Sequence, residues 1–308
     1  MHLTDVLMHL DYRLLLPLIA RFPVPIAYRL ADWRGRFSYR VNEVSRQSAM
    51  SNIERVFPGL SEPERERLVL RTFQVHSRDE METFWYTRPP AFFERIVKIQ
   101  GLDSLQQAVR SGDGVLLFSG HLGSTGLFFI IMGLRGIHLN IVGRPLDPEV
   151  NPLHPAVRRY AHRRVHWVES ALERSFLLTG RGNYHQIRRR LGQGEIVMML
   201  VDVIPTILKR TVPIQFLGRQ AYFGDGVANL FRETGSRLFH WSIHQSWATN
   251  KHSIKIQELT AEVGVLHNSG EIMQTLAGVI EGHILSHPED WSQWDSLGLF
   301  YRSDPAIL

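Results

Sequence analysis

The chain has 308 residues, 44% of them hydrophobic, enough for one large α/β domain or two small ones. It contains no cysteine, which excludes disulfides, thiolate-bound metals and a cysteine nucleophile. The formal charge is +5, carried almost wholly by arginine, whose planar guanidinium suits phosphate or carboxylate and points to an anionic partner.

Prolines and glycines are scattered and no repeat or low-complexity tract occurs, so the simplest organisation is an appendage, residues 1–40, followed by one domain, residues 41–308. Val6 to Trp33 is the most apolar long segment, but Asp11, Arg13, Arg21, Arg29 and Asp32 interrupt it and Pro17, Pro23 and Pro25 break it. No run approaches the ~20 apolar residues of a membrane span, and no basic stretch leads to a small-residue cleavage site. Leucines and aromatics on one side and arginines on the other predict an amphipathic segment lying in the headgroup region of a membrane, with packing against the domain as the alternative. Residues 41–98 are helical in pattern. Ser61-Glu62-Pro63-Glu64 is a helix start, and the helix is expected to run on through Arg65 to about Tyr86. Its charged residues read as a solvated face, although Glu80, Glu82 and Trp85 are placed to line a cleft.

From Gly101 the pattern becomes alternating α and β. Leu102 to Arg110 reads as a helix and Gly112-Asp113-Gly114 as a turn. Val115 to Phe118 is a buried strand, and Ser119-Gly120 ends it so that His121 stands at its carboxyl end, where open α/β sheets bind ligands. The small residues Gly123, Ser124 and Gly126 follow, and a helix is expected over Leu127 to Leu134. Ile137 to Val142 is a second strand, ending at Gly143-Arg144-Pro145; Val165 to Val168 a third; Ile196 to Val201 a fourth, ending at Asp202. His121, Arg144 and Asp202 thus recur at strand ends, the layout of an α/β active site. Arg158, Arg159, Arg163 and Arg164 form a basic tract, either a solvated helix face or a docking surface for an acidic carrier or lipid headgroups, and Arg181 to Arg190 form a second tract. His154, His162, His166 and His185 lack a metal-ligand spacing, so no metal is expected. After Val212 to Ala221 come a helix to Thr234, strands Leu238 to His244 and Ser253 to Leu259, and a helix from Gly270 to Ser286. Trp291 and Trp294 read as packing residues.

Several of these stretches together resemble the bacterial lipid A late acyltransferases, the lauroyl and myristoyl transferases of the lysophospholipid acyltransferase superfamily. They are Asn52-Ile53 through Phe57-Pro58-Gly59-Leu60-Ser61-Glu62, Gly101-Leu102 with the strand to Ser119-Gly120-His121-Leu122-Gly123, and Gly143-Arg144-Pro145-Leu146-Asp147. Gly194-Glu195 with Val201-Asp202, Phe216-Leu217-Gly218-Arg219 and His287-Pro288-Glu289-Asp290-Trp291 complete the set. The resemblance implies a central mixed, largely parallel sheet flanked by helices. It also implies transfer of an acyl group from an acyl-carrier-protein or coenzyme A thioester to a hydroxyl or amine of a lipid or small-molecule acceptor. The location would be peripheral, on the cytoplasmic face of the bacterial inner membrane, or else the cytoplasm. No cofactor beyond the thioester and no nucleic acid is implied.

The family's hallmark is a histidine followed, after four residues, by Asp or Glu. Here that position is Gly126, and Leu122 to Leu134 contains no acid. Three readings follow. In the first, His121 remains the base, steadied by a carboxylate from elsewhere: Asp202 first, Glu80 and Glu82 behind it. In the second, the scaffold serves specialised metabolism, joining carrier-bound acyl groups or taking a bulkier or anionic acceptor. In the third, catalysis is lost and a lipid- or carrier-binding module remains. Arg144 is expected to hold a phosphate or pantetheine group, or else to pair with Asp147, and Arg219 is a further anion contact. Gly123, Ser124 and Gly126 would line the substrate.

Overall fold

Val115–Ser119 is an unbroken apolar run that ends in serine, and all five of its residues are buried. Such a run belongs at the centre of a parallel sheet, covered on both faces. In the computed structural model, which describes residues 3–149, 151–180 and 183–301, that is where it lies.

The strands are β1 (Val97–Gln100), β2 (Val115–Ser119), β3 (Leu139–Gly143), β4 (Leu177–Leu178), β5 (Ile196–Leu200), β6 (Val212–Phe216), β7 (Arg219–Phe223), β8 (Arg237–Gln245) and β9 (His252–Glu258). Seven of them form one sheet in the order β1-β9-β8-β2-β5-β3-β4, while β6 and β7 make a separate antiparallel hairpin. Within the large sheet only β8 and β9 pair antiparallel. The sheet is therefore mixed and largely parallel, as expected. Alternate residues of β2 serve two cores. Val115 and Leu117 join the side that holds Phe128, Trp241 and Trp85, whereas Leu116 and Phe118 join the side that holds Phe231, Ile280 and Trp291. The Phe128 and Trp241 rings stack with centroids 3.8 Å apart.

Helices α1 (Val24–Val41), α2 (Glu62–Glu82), α3 (Thr125–Leu134), α4 (Pro155–Leu172) and α5 (Ser269–Ser286) place the site. α2 starts at the expected Ser61 with a capping box, in which the Ser61 amide donates to Glu64 Oε2 at 2.8 Å. α1 packs along α2 so closely that a Cβ on Gly35 would stand 2.8 Å from Gln74 Cα. The contact also buries the Arg34 guanidinium between Asp11 and Glu80, at 2.6 Å from each. The other side of this N-terminal region is apolar and exposed: Leu7, Leu14, Leu18, Phe22, Ile26, Trp33 and Phe37. Among the described residues, no helix is long and apolar enough to cross a membrane.

One reading of the sequence is corrected. Val165 to Val168 is not a strand but lies within α4. Ala156, Tyr160, Arg164, Val168 and Leu172 recur every four residues there, and this helical stripe, buried at all but Arg164, overrides the β-branched local pattern. The two-residue strand β4 follows instead, too short for any periodicity to show.

Candidate active site

β2 and β5 are adjacent and parallel, with Ser119 opposite Leu200 and a constant offset of 81 residues along the ladder. Two residues beyond that last pair the same offset brings together His121 and Asp202. Asp202 is fully buried, its Oδ1 2.8 Å from His121 Nδ1 and its Oδ2 accepting the His121 backbone N–H at 2.8 Å. Gly120 permits this approach, since a Cβ there would lie 3.0 Å from Asp202 Oδ2. The same oxygen accepts the Trp291 indole N–H at 2.9 Å. Trp291 had read as simple packing, and its bond spans 89 residues of sequence, so only the fold reveals it.

The segment carrying Trp291 also clamps the turn around His121. The Gly123 amide donates to the Asp290 carbonyl at 2.8 Å, the Ser292 amide donates to the His121 carbonyl at 3.1 Å, and Leu122 bridges to Trp291. Gly123 sits at φ +51°, with Ile243 O 2.7 Å from where a Cβ would be, so glycine suits the turn both sterically and conformationally. Burial pushes the His121 imidazole pKa down, but the charge and hydrogen bonds of Asp202 outweigh it and hold the pKa above the ordinary value. Among the described residues His121 Nε2 has no hydrogen-bond partner, and the side chain is 36% exposed.

That side chain opens on a cavity of about 400 Å³, whose wall includes Gly123, Gly126, Phe129, Arg164, Val168 and Phe176. Arg164 therefore turns inward, where it bonds Asp79 at 2.6 and 2.8 Å, instead of joining the outer face of α4. Arg159 is exposed, and Arg163 lies over the rings of Phe84 and Trp167. Arg158 donates to the Leu153 carbonyl. The second basic tract folds as a helix over Asn183–Gly192, and Arg181 lies outside the described residues.

The seat of the family acid is filled. A Cβ at Gly126 would fall 2.0 Å from Tyr86 Oη and 2.7 Å from Arg164 Nη2. Ser124 is not among the residues of the cavity wall: its hydroxyl donates to the buried carboxylate of Glu82, which also accepts from Tyr28 at 2.8 Å and contacts His252 Nε2 at 2.9 Å. Glu80 holds Arg34 and Tyr12. Of the three carboxylates expected near His121, only Asp202 touches it. Arg144 is exposed past the end of β3 and outside the cavity wall, and Arg219 begins β7 with its guanidinium over Tyr301. For a metal, the described residues offer His244, His287 and Glu289, whose donor atoms lie within 4.8 Å of one another; none of them is among the histidines weighed in the sequence.

A family model described as bacterial lipid A biosynthesis acyltransferase matches residues 2–294. The lipid A biosynthesis lauroyltransferase of Escherichia coli (strain K12) is 29% identical over 108 residues, 34% of each chain. The lipid A biosynthesis palmitoleoyltransferase of the same organism is 24% identical over 188 residues, 59% of this chain and 56% of its own. A lipid A biosynthesis acyltransferase of Shigella flexneri aligns to the same extent. The chain thus spans about a third to just over half of the length of these curated relatives.

Proposed function

Because this chain belongs to the bacterial lipid A biosynthesis acyltransferase family, we propose that it moves an acyl group from a carrier-protein or coenzyme A thioester to a hydroxyl or amine, with His121 as general base and Asp202 as its positioning residue. The observation that carries this reading is the His121–Asp202 pair, joined through both the ring and the backbone amide, with His121 on the cavity wall. The pair supplies from β5 what the missing acid at Gly126 does not.

The chemistry follows from that arrangement. Asp202 favours the tautomer with hydrogen on Nδ1, leaving the Nε2 lone pair to accept the acceptor's O–H or N–H proton. The freed oxygen or nitrogen attacks the thioester carbonyl and the tetrahedral oxyanion collapses. The C–S bond breaks as the C–O or C–N bond is kept, and the departing thiolate recovers the proton from the imidazolium. The products are an ester or amide and a free thiol. Asp202 stabilises the transient imidazolium throughout without itself taking a proton.

The exposed apolar residues from Leu7 to Phe37 support a peripheral seat on the membrane that supplies or receives the acyl chain. Arg159, Arg163 and Arg158 on α4 form the surface assigned to an acidic carrier. Incubating the protein with acyl-carrier-protein and coenzyme A thioesters and a panel of hydroxyl and amine acceptors, with products identified by mass spectrometry, tests the reading. Acylated product with stoichiometric free thiol is expected. Thioester binding without turnover on any acceptor would replace it with a binding role.

A further inference from the structure

We propose that the N-terminus of α3, together with Tyr86 and Arg164, is a binding site for an anionic group of the substrate, a carboxylate or a phosphate. In sign, it is the reverse of the carboxylate that the family motif would put there.

Four observations converge. First, an acidic side chain has no room at position 126, because its Cβ would stand 2.0 Å from Tyr86 Oη and 2.9 Å from Arg164 Nε. Hydrogen-bond donors occupy the seat of an acceptor. Second, α3 is ten residues long and uncapped. Ser124, in the capping position, donates its hydroxyl to Glu82, so the amides of Gly126 and Leu127 have no acceptor among the described residues. A helix start in that condition carries roughly half a positive charge and binds anions through its N–H groups.

Third, the Tyr86 hydroxyl has no hydrogen-bond partner among the described residues, its residue is 6% exposed, and it points at Gly126. A buried hydroxyl without a partner costs stability unless something fills the vacancy. Fourth, Arg164 commits Nη1 and Nη2 to Asp79 but has no acceptor for Nε among the described residues. Gly126 and Arg164 both line the cavity that His121 enters. Three acidic residues share that wall: Asp79 pairs with Arg164, Glu289 accepts from the Trp247 indole at 3.3 Å, and Asp290 accepts from His244 and His283 at 2.8 and 3.1 Å. An anion held here sits in the same cavity as the proposed base, which favours an acceptor bearing a carboxylate or phosphate. That last step rests on the acyl-transfer reading, whereas the binding site does not.

The test uses the full chain without any thioester. Calorimetric titration and thermal unfolding with sodium phosphate, and separately with sodium acetate, are run at ionic strength held constant by sodium chloride. Saturable binding of at least one ion is expected, and the preferred ion identifies the group. Tyr86→Phe is expected to weaken that binding about three- to tenfold, the value of one hydrogen bond. In the absence of the ion its unfolding temperature should be equal or higher, because the hydroxyl it removes has no partner; a purely structural hydroxyl would give a drop instead. Arg110→Gln, on an exposed helix end, serves as the charge control and should bind as wild type does. Absence of saturable binding, or equal affinity in wild type and Tyr86→Phe, overturns the proposal. Acyl transfer surviving such a result would leave the proposed function standing, and anion binding without transfer would remove only the latter.

Discussion

At the scale of single residues, two positions matter most: Asp202, which pairs with His121, and Gly126, which departs from the family hallmark. Asp202 holds the His121 pKa above its ordinary value, so a base that must be neutral gains activity only as the pH rises through that raised pKa. Asp202→Asn removes the charge that favours the imidazolium. The half-maximal point of the pH–rate profile should therefore move to lower pH while the plateau falls about 10²–10⁴-fold, the usual value of oriented general-base help. An unmoved profile would mean that the pair only maintains the turn. Gly126→Ala should destabilise the protein by about 1–3 kcal/mol, read by urea denaturation, since Tyr86 and Arg164 must give way in a packed site. His121 and Asp202 were legible in the sequence because both end apolar runs of buried strand, and residues at parallel strand ends cluster whatever their separation along the chain. Tyr86 and the Trp291 indole were not legible, because each acts through one contact fixed only by tertiary packing.

At the scale of elements, the sheet was easier to read than the helices around it. β2 and β5 announce themselves by continuous apolar runs, but Val165 to Val168 has the composition of a strand and lies in α4, because spacing over eighteen residues outweighs four. The same four-residue stripe that corrects that reading includes Arg164, so its inward turn was recoverable from sequence once α4 was recognised as a single helix. α1 and the residues before it carry two faces. Ala27, Tyr28 and Ala31 are buried against the domain, whereas Trp33 and Phe37 are exposed with rings 6.5 Å apart. Replacing Trp33 and Phe37 together with Asp should leave thermal unfolding nearly unchanged, as expected of exposed sites. It should reduce co-sedimentation with anionic phospholipid vesicles at least several-fold. Equal sedimentation of the variant and the wild type would remove the membrane role from this face.

At the scale of the whole molecule, buried ion pairs tie the N-terminal helices to the sheet and the sheet to the segment that clamps His121. Glu80 pairs with Arg34, Glu82 with His252, and Asp290 with His244 and His283. Burial raises each of these carboxyl pKa values, yet the cationic partners and hydrogen bonds more than reverse it, so all three lie below the ordinary range. A depressed carboxyl contributes stability that is present above the unfolded-state value, about 4, and lost as the pH falls through the folded one. The urea midpoint should therefore drop progressively between about pH 5 and about pH 3. A flat profile there would show that the pairs contribute nothing net. The central claim, that this scaffold performs acyl transfer with an imidazole whose carboxylate comes from a neighbouring strand, is tested most directly by turnover of the full chain against His121→Ala, with acylated product and free thiol quantified together. The account predicts a fall of about 10²–10⁴-fold with the circular dichroism spectrum and unfolding transition retained. Undiminished turnover in that variant would contradict it.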